Sequence, residues 1–340
     1  MTSDSAEAVG PLASWDDIVA FLGSVPLFAG IPAEELEELA RVMQPVKLAA
    51  GDVLFRQGEE ARGLHVVAGG RVRASARLPG EREVELATLG AHEVLGEIPL
   101  IDGGTRTATV GAVEPAIALF LGRADFTALV SRLHPTAFTI KRRIANLACE
   151  RLRKRYAALA QSLGEGRAPE PTAEGLPLDP APEVLASVAR PSLNYLSRLP
   201  FFRAFDRSQL LEILDSGRLA FLPVRHLVLG EGAEARACCV TLDGAVEEVI
   251  RRGDRAIRVG LAGPGRAFGY VGLIDGGPAP VSAATRERAL LLAVSRAQFG
   301  ALFYGSTIGS YDFFEAVERD LMTALRQADR PQARLATAAF

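Results

Sequence analysis

The chain has 340 residues, enough for two domains, and its 49% hydrophobic and 23% charged residues are typical of a folded globular protein. Lys and Arg number 38 against 41 Asp and Glu, and this net charge of −3 excludes a strongly positive overall field for nucleic acid. Three cysteines are too few for a disulfide framework. The N-terminus lacks the features of a signal peptide and no apolar stretch is long enough to cross a membrane, so we expect a cytoplasmic protein.

The first predicted elements are two helices, followed by a series of short strands. Ser14 and the acidic residues after it are typical of a capped helix start, and apolar residues recur at helical spacing over 32–43. Over 52–121, short runs rich in Val, Leu and Ile alternate with glycines, which is typical of an antiparallel sandwich or roll. Helical patterns follow over 124–133 and 135–163.

The chain contains an internal duplication. Residues 95–126 align without a gap on 268–299 with 12 of 32 positions identical. Further upstream, residues 57–72 match 231–246 at 7 of 16 positions. Because each copy has the same pattern of strands and flanking helices, the sequence predicts two tandem domains of one fold.

The predicted fold class is mainly β with flanking α-helices, in two tandem antiparallel β-roll domains of the jelly-roll type. A stretch dense in Pro, Gly and Glu between the copies cannot bury a core, so we expect it to be an extended linker. The predicted organisation is an N-terminal segment with a helix at 1–24, domain A with its C-terminal helix at 25–163, the linker at 164–190, domain B at 191–328 and a tail at 329–340.

The segment with the most chemical information is 96–110, GEIPLIDGGTRTATV. It places the carboxylate of Glu97 at the start of a predicted helical turn, then a glycine-containing loop, then Arg106. Glycines let backbone N–H groups approach an anion, and a guanidinium matches phosphate oxygens. An ionised Glu97 only accepts hydrogen bonds, so beside an anion it suits hydroxyl groups of the same ligand. The pattern favours a ligand that carries both a phosphate and a sugar hydroxyl.

This segment resembles the cassette of cyclic-nucleotide-binding domains, the family of catabolite-activator proteins and of the regulatory subunits of cyclic-AMP-dependent protein kinase. The family pattern is G-E-(apolar)-A-L-(apolar), followed after a loop by R-(A/S/T)-A-x-V. Pro99 and Thr105 stand where alanine and proline are usual. The resemblance covers roughly residues 14–160 and 190–328. The residues that match the cassette are Gly96, Glu97, Ile98, Leu100, Ile101, Arg106, Thr107, Ala108 and Val110.

The resemblance implies a role for each matching residue. Glu97 would hold the ribose 2′-hydroxyl, and Arg106 the exocyclic phosphate oxygens. The alternative is that these two residues form a structural ion pair at the rim of the roll. The other implied contacts are the phosphate-binding backbone near Gly96, Thr107 and Ala108, the base-lining side chains of Leu86 and Leu89, and the base-capping side chains of Arg151, Arg155 or Tyr156 on the following helix.

The residue after the arginine bears on which nucleotide is bound. In the family, a threonine at the position of Thr107 reaches the guanine amino group in cyclic-GMP sites, or hydrogen-bonds the phosphate instead. We expect cyclic AMP in preference to cyclic GMP.

The second copy departs from the family at the charged positions. Tyr270 stands where Glu97 stands in the first copy, and Ala279 stands where Arg106 stands. Without the phosphate-pairing cation a buried anion is poorly compensated, so we expect domain B not to bind a cyclic nucleotide in the usual way. It is then an interaction domain, or it takes another ligand through Tyr270 and neighbouring arginines, Arg286 and Arg288.

The long helix after the first roll is basic, but no DNA-binding module follows it. Activator-type relatives continue into a helix-turn-helix, whereas this chain continues into the Pro-rich linker. We expect a solvated or partner-binding basic face rather than a nucleic-acid site. The bases are, among others, Arg142, Arg143, Arg151, Arg153, Lys154 and Arg155.

The sequence favours a receptor over an enzyme. The four histidines are scattered without metal-ligand spacing, and no Ser-His-Asp or Cys-His grouping stands out, so neither a catalytic nor a metal site is expected. We predict a cytoplasmic signal-transduction protein with no cofactor. It binds cyclic AMP, or else cyclic GMP, in domain A and relays its state to an unknown protein partner through domain B. A ligand-independent scaffold, a receptor for another nucleotide such as a cyclic dinucleotide, and homodimer formation remain open alternatives.

Overall fold

Short strands bounded by glycines form the first half of the protein, as the sequence pattern predicts. The computed structural model describes residues 12, 14–77, 83–102, 104–163, 191–253 and 255–338. The helices of the first half are α1 (Trp15–Ser24), α2 (Ala33–Val42), α3 (Glu97–Asp102), α4 (Arg123–Ser131) and α5 (Pro135–Ser162). The strands are β1 (Met43–Leu48), β2 (Val53–Phe55), β3 (Gly63–Gly69), β4 (Val72–Arg77), β5 (Glu83–Leu89), β6 (Val94–Leu95), β7 (Thr109–Ala112) and β8 (Ala116–Gly122).

The second half has the same succession of elements. A 3-10 helix lies at Pro200–Phe202. The α-helices are α6 (Leu193–Leu196), α7 (Arg207–Ser216), α8 (Val271–Ile274), α9 (Arg296–Phe303) and α10 (Ile308–Ala338). The strands are β9 (Arg218–Leu222), β10 (Leu227–Leu229), β11 (Ala237–Asp243), β12 (Val246–Arg252), β13 (Arg255–Ala262), β14 (Ala267–Phe268), β15 (Ser282–Thr285) and β16 (Ala289–Ser295).

The sheet topology confirms the duplication. The first half contains two antiparallel four-stranded sheets, of order β1-β8-β3-β6 and β2-β7-β4-β5. The second half contains two sheets of order β9-β16-β11-β14 and β10-β15-β12-β13, so each strand has a counterpart eight strands later. The predicted pair of antiparallel rolls is confirmed. Helices account for about 40% of the described residues, so "mainly β" describes the fold only loosely.

The chain divides into two compact units, Met1–Ile144 and Ala145–Phe340. This division falls inside α5, whereas the predicted boundary followed that helix at residue 163. The reason is local packing: Leu152 and Tyr156 are buried and line a cavity with residues of the second roll. The predicted linker at 164–190 lies outside the described residues.

The first helix begins where the sequence predicts it, and the last helix extends beyond the predicted end of domain B. The Ser14 side chain accepts a hydrogen bond from the Asp17 N–H, and the Asp17 carboxylate accepts one from the Ser14 N–H, which confirms the predicted cap of α1. The helix α10 continues to Ala338 and so includes most of the predicted tail at 329–340. The residues that follow Pro331 in this helix are largely Ala, Gln, Arg and Leu, which are strong helix formers.

The core of the first roll positions the candidate site. Strand β7 pairs with β4 and β2, which sets Val110 opposite Ala74 on one side and Phe55 on the other. Val110 is buried in a cluster with Val67 and Val72, and Phe55 packs against that cluster. The segment that precedes β7 therefore leaves the core at a fixed point beside Phe55.

Among the described residues, no helix is long and apolar enough to span a membrane.

Candidate functional site

A glycine between β6 and α3 brings backbone and guanidinium together. Gly96 has a φ of +74°, a conformation that side-chain-bearing residues rarely adopt. A Cβ atom at this position would overlap Nη1 of Arg106. Glycine is therefore required at Gly96 for both reasons, and the guanidinium lies directly against the turn. The next residue, Glu97, begins α3 and is only 2% exposed.

The backbone of Arg106 is held from both sides. The Arg106 N–H donates to the carbonyl oxygen of Glu59 at 2.8 Å, and the Gly58 N–H donates to the carbonyl oxygen of Arg106 at 2.9 Å. Gly58 has a φ of +86°, which lets the chain turn at this point. An isolated antiparallel bridge between Glu60 and Thr105 extends this pairing. The side chain of Arg106 thus emerges from a fixed backbone position.

The guanidinium of Arg106 is buried but not saturated with hydrogen bonds. Arg106 is 5% exposed, and its Cζ lies 4.0 Å from the centre of the Phe55 ring, a cation–π contact. Burial lowers the pKa of Arg106, and the nearby carboxylates of Glu59 and Glu97 oppose that effect. Within the described residues, its Nε and Nη1 have no hydrogen-bond partner. Two charged donors therefore remain available to an acceptor from outside the chain.

A neutral histidine completes the surroundings of the guanidinium. The ring of His65 lies 5.6 Å from that of Phe55 and 4.8 Å from that of Phe120, centroid to centroid. Burial and the charge of Arg106 lower the pKa of His65 to about 3. At neutral pH the ring is uncharged, so it packs beneath the site without adding positive charge. Arg106 is the buried cation of this cluster.

The sequence analysis did not identify Phe55, Glu59 or His65. They lie 41 to 51 positions before Arg106 in the chain. The pairing of β2 with β7 brings Phe55 to it, the backbone hydrogen bond to Arg106 brings Glu59, and His65 lies on β3 of the other sheet. The duplication carried a signal that could have found them, because aligned positions in the second copy are Leu229, Ala233 and Cys239. In the second copy, these neighbours are replaced as well as the arginine itself.

The structure brings together the central residues of the predicted cassette. Ile98 is buried, and Ala108 packs on the core of the roll. Thr107 is exposed immediately after Arg106. Gly96 lies against the Arg106 guanidinium, and Glu97 is close enough for its charge to act on the pKa of Arg106. A ligand-binding role stays a prediction for each of these residues. Gly103 of the cassette loop lies outside the described residues.

The two leucines assigned to the base differ from each other. Leu89 packs against the core cluster of the roll. Leu86 is 56% exposed, at an irregularity where the register between β4 and β5 shifts. In this structure Leu86 is thus an open apolar side chain on β5 and not part of a closed wall. Its contact with a base stays a prediction.

The three residues assigned to capping the base belong to the second unit. Arg151 is exposed, whereas Arg155 donates from Nη1 to the carbonyl oxygen of Leu325 at 2.9 Å. Tyr156 is 4% exposed and lines a cavity together with Tyr270. Arg155 and Tyr156 thus contact residues of the second unit. A capping role stays a prediction for all three.

The expected solvated basic face is also wrong in part. Arg143 donates from Nη1 to the carbonyl oxygen of Leu27 at 2.8 Å. Arg153 forms a two-bond ion pair with Asp275, and Arg155 binds Leu325 as described. These guanidinium groups therefore bind acceptors of the protein itself. They stabilise intramolecular contacts.

The second roll repeats the backbone of the site without its charges. The Ala279 N–H donates to the carbonyl oxygen of Ala233 at 2.8 Å, and the Gly232 N–H donates to the carbonyl oxygen of Ala279 at 2.8 Å. Gly269 has a φ of +79°, as Gly96 does in the first roll. The side chain that follows is Tyr270, which is 4% exposed. The aligned positions are therefore structurally equivalent, but no cation stands at the place of Arg106.

Two carboxylates near Tyr270 have raised pKa values. Burial, together with the charge of Asp320, raises the pKa of Glu248 to about 7, and Arg266 opposes this shift. Burial raises the pKa of Asp320 to about 6, against a hydrogen bond from the Ala267 N–H and the charge of Arg266. Because both groups are acids in an apolar surrounding, desolvation of the charged form dominates.

Other site chemistries find no support within the described part of the chain. It holds no group of three or more His, Cys, Asp or Glu side chains arranged for a metal ion. The three cysteines are free and buried. Burial raises the pKa of each thiol, which makes the thiol a poor nucleophile.

Known proteins have sequences similar to parts of this chain. The Cyclic AMP receptor protein of Thermus thermophilus is 36% identical over 156 residues, which are 42% of this chain and 72% of that protein. The cGMP-dependent protein kinase egl-4 of Caenorhabditis briggsae is 31% identical over 137 residues, which are 39% of this chain and 18% of that kinase. Much of the kinase thus has no counterpart here.

A similar solved structure is the regulatory domain of Toxoplasma gondii PKA with cAMP. The match covers 88% of this chain and 94% of the Toxoplasma chain, with 18% sequence identity and a TM-score of 0.34. The family model for the cyclic nucleotide-binding domain matches residues 45–132 and 221–304, one match in each roll. The chain therefore belongs to the cyclic nucleotide-binding domain family.

Proposed function

We propose that this protein is a non-enzymatic cyclic-nucleotide receptor that binds one cyclic mononucleotide, in the cassette around Arg106. The second unit relays the bound state to a protein partner. A cytoplasmic location is part of the same proposal and agrees with three free cysteines.

The observation that carries this proposal is the state of the Arg106 side chain. A buried charged donor without an acceptor is costly, by about 1–3 kcal/mol or more for each group. The Nε and Nη1 atoms of Arg106 are such donors within the described residues. Phosphate oxygens from a ligand would accept both hydrogen bonds and would neutralise the charge. An anionic ligand thus removes the penalty that these two unpaired donors carry.

The neighbouring carboxylate narrows the ligand class. Glu97 is almost fully buried on α3, whose preceding turn contacts Arg106. An ionised carboxylate repels a phosphate but accepts hydrogen bonds from hydroxyl groups. A ligand with a phosphate and a sugar hydroxyl close together satisfies both side chains. The 2′-hydroxyl and cyclic phosphate of a cyclic mononucleotide meet this requirement.

We favour cyclic AMP over cyclic GMP. The relative that matches over the larger share of its own length is a cyclic AMP receptor. Thr107 is exposed and follows Arg106 directly in the chain, and in this proposal its hydroxyl hydrogen-bonds the phosphate and not the base. Cyclic GMP remains the second candidate, since a cGMP-dependent kinase is also similar.

The relay to the second unit would proceed through α5. This helix begins at Pro135 in the first unit and ends at Ser162 in the second, so it links the units covalently. A ligand shifts a conformational equilibrium only by its different affinities for the two states. A rigid roll offers little such difference, whereas a long helix that leaves it has room to move.

Isothermal titration calorimetry against cyclic AMP, cyclic GMP and a cyclic dinucleotide tests the proposal. The wild-type protein and the control Arg73→Ala, an exposed arginine of β4, should bind cyclic AMP equally. Arg106→Ala removes two charge-assisted hydrogen bonds of about 1.5–3 kcal/mol each, so its affinity should fall about 100-fold or more. No heat with any nucleotide would favour a ligand-independent scaffold, and selective binding of the dinucleotide would replace the proposed ligand.

A further inference from the structure

The position that a ligand would take in the second roll is occupied by a helix of the same chain. Tyr270 and Ala279, the counterparts of Glu97 and Arg106, line a cavity of about 20 Å³ in the second unit. That is room for about one water molecule, far below the roughly 300–1,000 Å³ of small-molecule sites. Two further lining residues, Leu152 and Tyr156, come from α5.

The buried stripe of α5 fits this place. Cys149, Leu152 and Tyr156 recur at a spacing of three and four residues, so they lie on one face of the helix, and all three are buried. Burial raises the pKa of Tyr270, and the charges of Glu248 and other neighbouring groups raise it further. The two tyrosines thus fill the cavity wall as neutral, largely apolar groups.

An ion pair fixes the helix to the loop of the degenerate cassette. Arg153 donates from Nε to Oδ2 of Asp275 at 2.5 Å and from Nη2 to Oδ1 at 2.8 Å. The same Oδ1 accepts a hydrogen bond from the Gly277 N–H at 3.0 Å, which shapes the loop. A Cβ on Gly277 would lie 2.7 Å from Nη2 of Arg153, so the absence of a side chain lets the guanidinium lie flat on the loop.

We propose that the second roll is a helix-docking domain whose ligand is the segment 149–162 of α5, recognised through Leu152, Arg153 and Tyr156. The two residues that differ from the nucleotide site form part of the docking site. The aromatic ring of Tyr270 stands where the first roll has the Glu97 carboxylate, and the methyl group of Ala279 stands where it has the Arg106 guanidinium. The partner that fits is an amphipathic helix with an apolar residue, an arginine and, three positions after the arginine, a tyrosine. This proposal does not depend on nucleotide binding by the first unit.

The tethering of the segment decides how the site is tested. A tethered ligand acts at an effective concentration in the millimolar range, so a free peptide cannot displace it. A full-length chain with Arg153→Ala and Tyr156→Ala should release its own segment and leave the site open. The fluorescent peptide 145–163 should then bind this variant at least tenfold more tightly than it binds wild type, as measured by anisotropy. The same peptide carrying Tyr156→Ala should not bind.

Hydrogen exchange gives a second test that does not need the double variant to fold. Asp275→Asn keeps the acceptor for Gly277 but weakens the bond to Arg153, so exchange over 149–162 should accelerate by about tenfold. The matched control is Lys154→Ala, an exposed neighbour of Arg153 on α5, which should exchange as wild type does. Unchanged exchange in Asp275→Asn, or failure of the peptide to bind a folded double variant, would overturn the docking proposal. Either result leaves the nucleotide site of the first unit untouched.

Discussion

Replacing Gly96 by alanine separates the conformational and the binding roles of the cassette turn. The new methyl group adds two penalties. A residue with a Cβ at a φ of +74° costs about 1–2 kcal/mol in stability. The methyl group would also overlap Nη1 of Arg106, so the guanidinium must move away from the turn and from its place over Phe55.

The two penalties have different readouts. The strained backbone should lower the thermal midpoint of the first unit by roughly 2–8 °C, at about 2–4 °C for each kcal/mol. Displacing Arg106 should weaken cyclic AMP binding about 100-fold, because two charge-assisted hydrogen bonds of about 1.5–3 kcal/mol each are lost or misdirected. The loss of affinity should therefore approach that of Arg106→Ala although the arginine is still present.

Gly51→Ala is the matched control. Gly51 has a φ of +89°, but a Cβ there would meet no atom within 4 Å. This variant should lose a similar amount of stability and keep wild-type affinity. Calorimetry with cyclic AMP and thermal unfolding of both variants measure the comparison. Wild-type affinity in Gly96→Ala, or an equal loss of affinity in Gly51→Ala, would refute the role given to the turn.

Further expected outcomes concern the ring of Phe55, the carboxylates of Glu97 and Glu248, and the helix α5. Phe55→Leu removes the ring under Arg106, and a desolvated cation–π contact of about 2 kcal/mol predicts roughly 30-fold weaker binding by calorimetry with little change in the strand. Glu97→Gln should weaken cyclic AMP binding less than Arg106→Ala does, since it alters a hydroxyl contact and keeps the counter-charge; a larger loss would contradict the assigned roles. Folding raises the pKa of Glu248 to about 7, so its stabilising contribution is complete below its ordinary pKa of about 4.3 and is lost as the pH rises through 7. The thermal midpoint should consequently be higher at pH 5.5 than at pH 8, and Glu248→Gln should reduce this difference; an unchanged pH dependence would exclude Glu248 as its source. Cyclic AMP should slow hydrogen exchange over 96–110 and also in α5, and identical exchange of α5 with and without nucleotide would rule out a relay through that helix.

Much of the fold is predictable because short stretches of sequence specify its strands and helix ends. The glycine-bounded strands and the cap at Ser14 each depend on residues near one another in sequence, and the internal repeat is a direct match of two contiguous segments. Each sheet of the second roll has the strand order of its counterpart in the first, as the alignment of the copies implies. The Gly96, Glu97 and Arg106 cassette is also compact in sequence, which is why a single segment predicts it.

The parts that sequence did not predict depend on long-range packing. Phe55 and His65 reach Arg106 only because β2 pairs with β7 and β3 lies in the facing sheet. Periodicity indicates which residues of α5 share one face of the helix, but it does not say what covers that face. The structure shows that the stripe around Tyr156 packs in the second unit, which moves the compact boundary into the helix.

The crystal structure of the protein grown with cyclic AMP tests the central claim most directly. The account predicts one nucleotide per chain, with its phosphate oxygens within hydrogen-bond distance of Nε and Nη1 of Arg106 and its 2′-hydroxyl on Glu97. No nucleotide density should lie beside Tyr270. A nucleotide in the second roll, or one bound away from Arg106, would contradict the account.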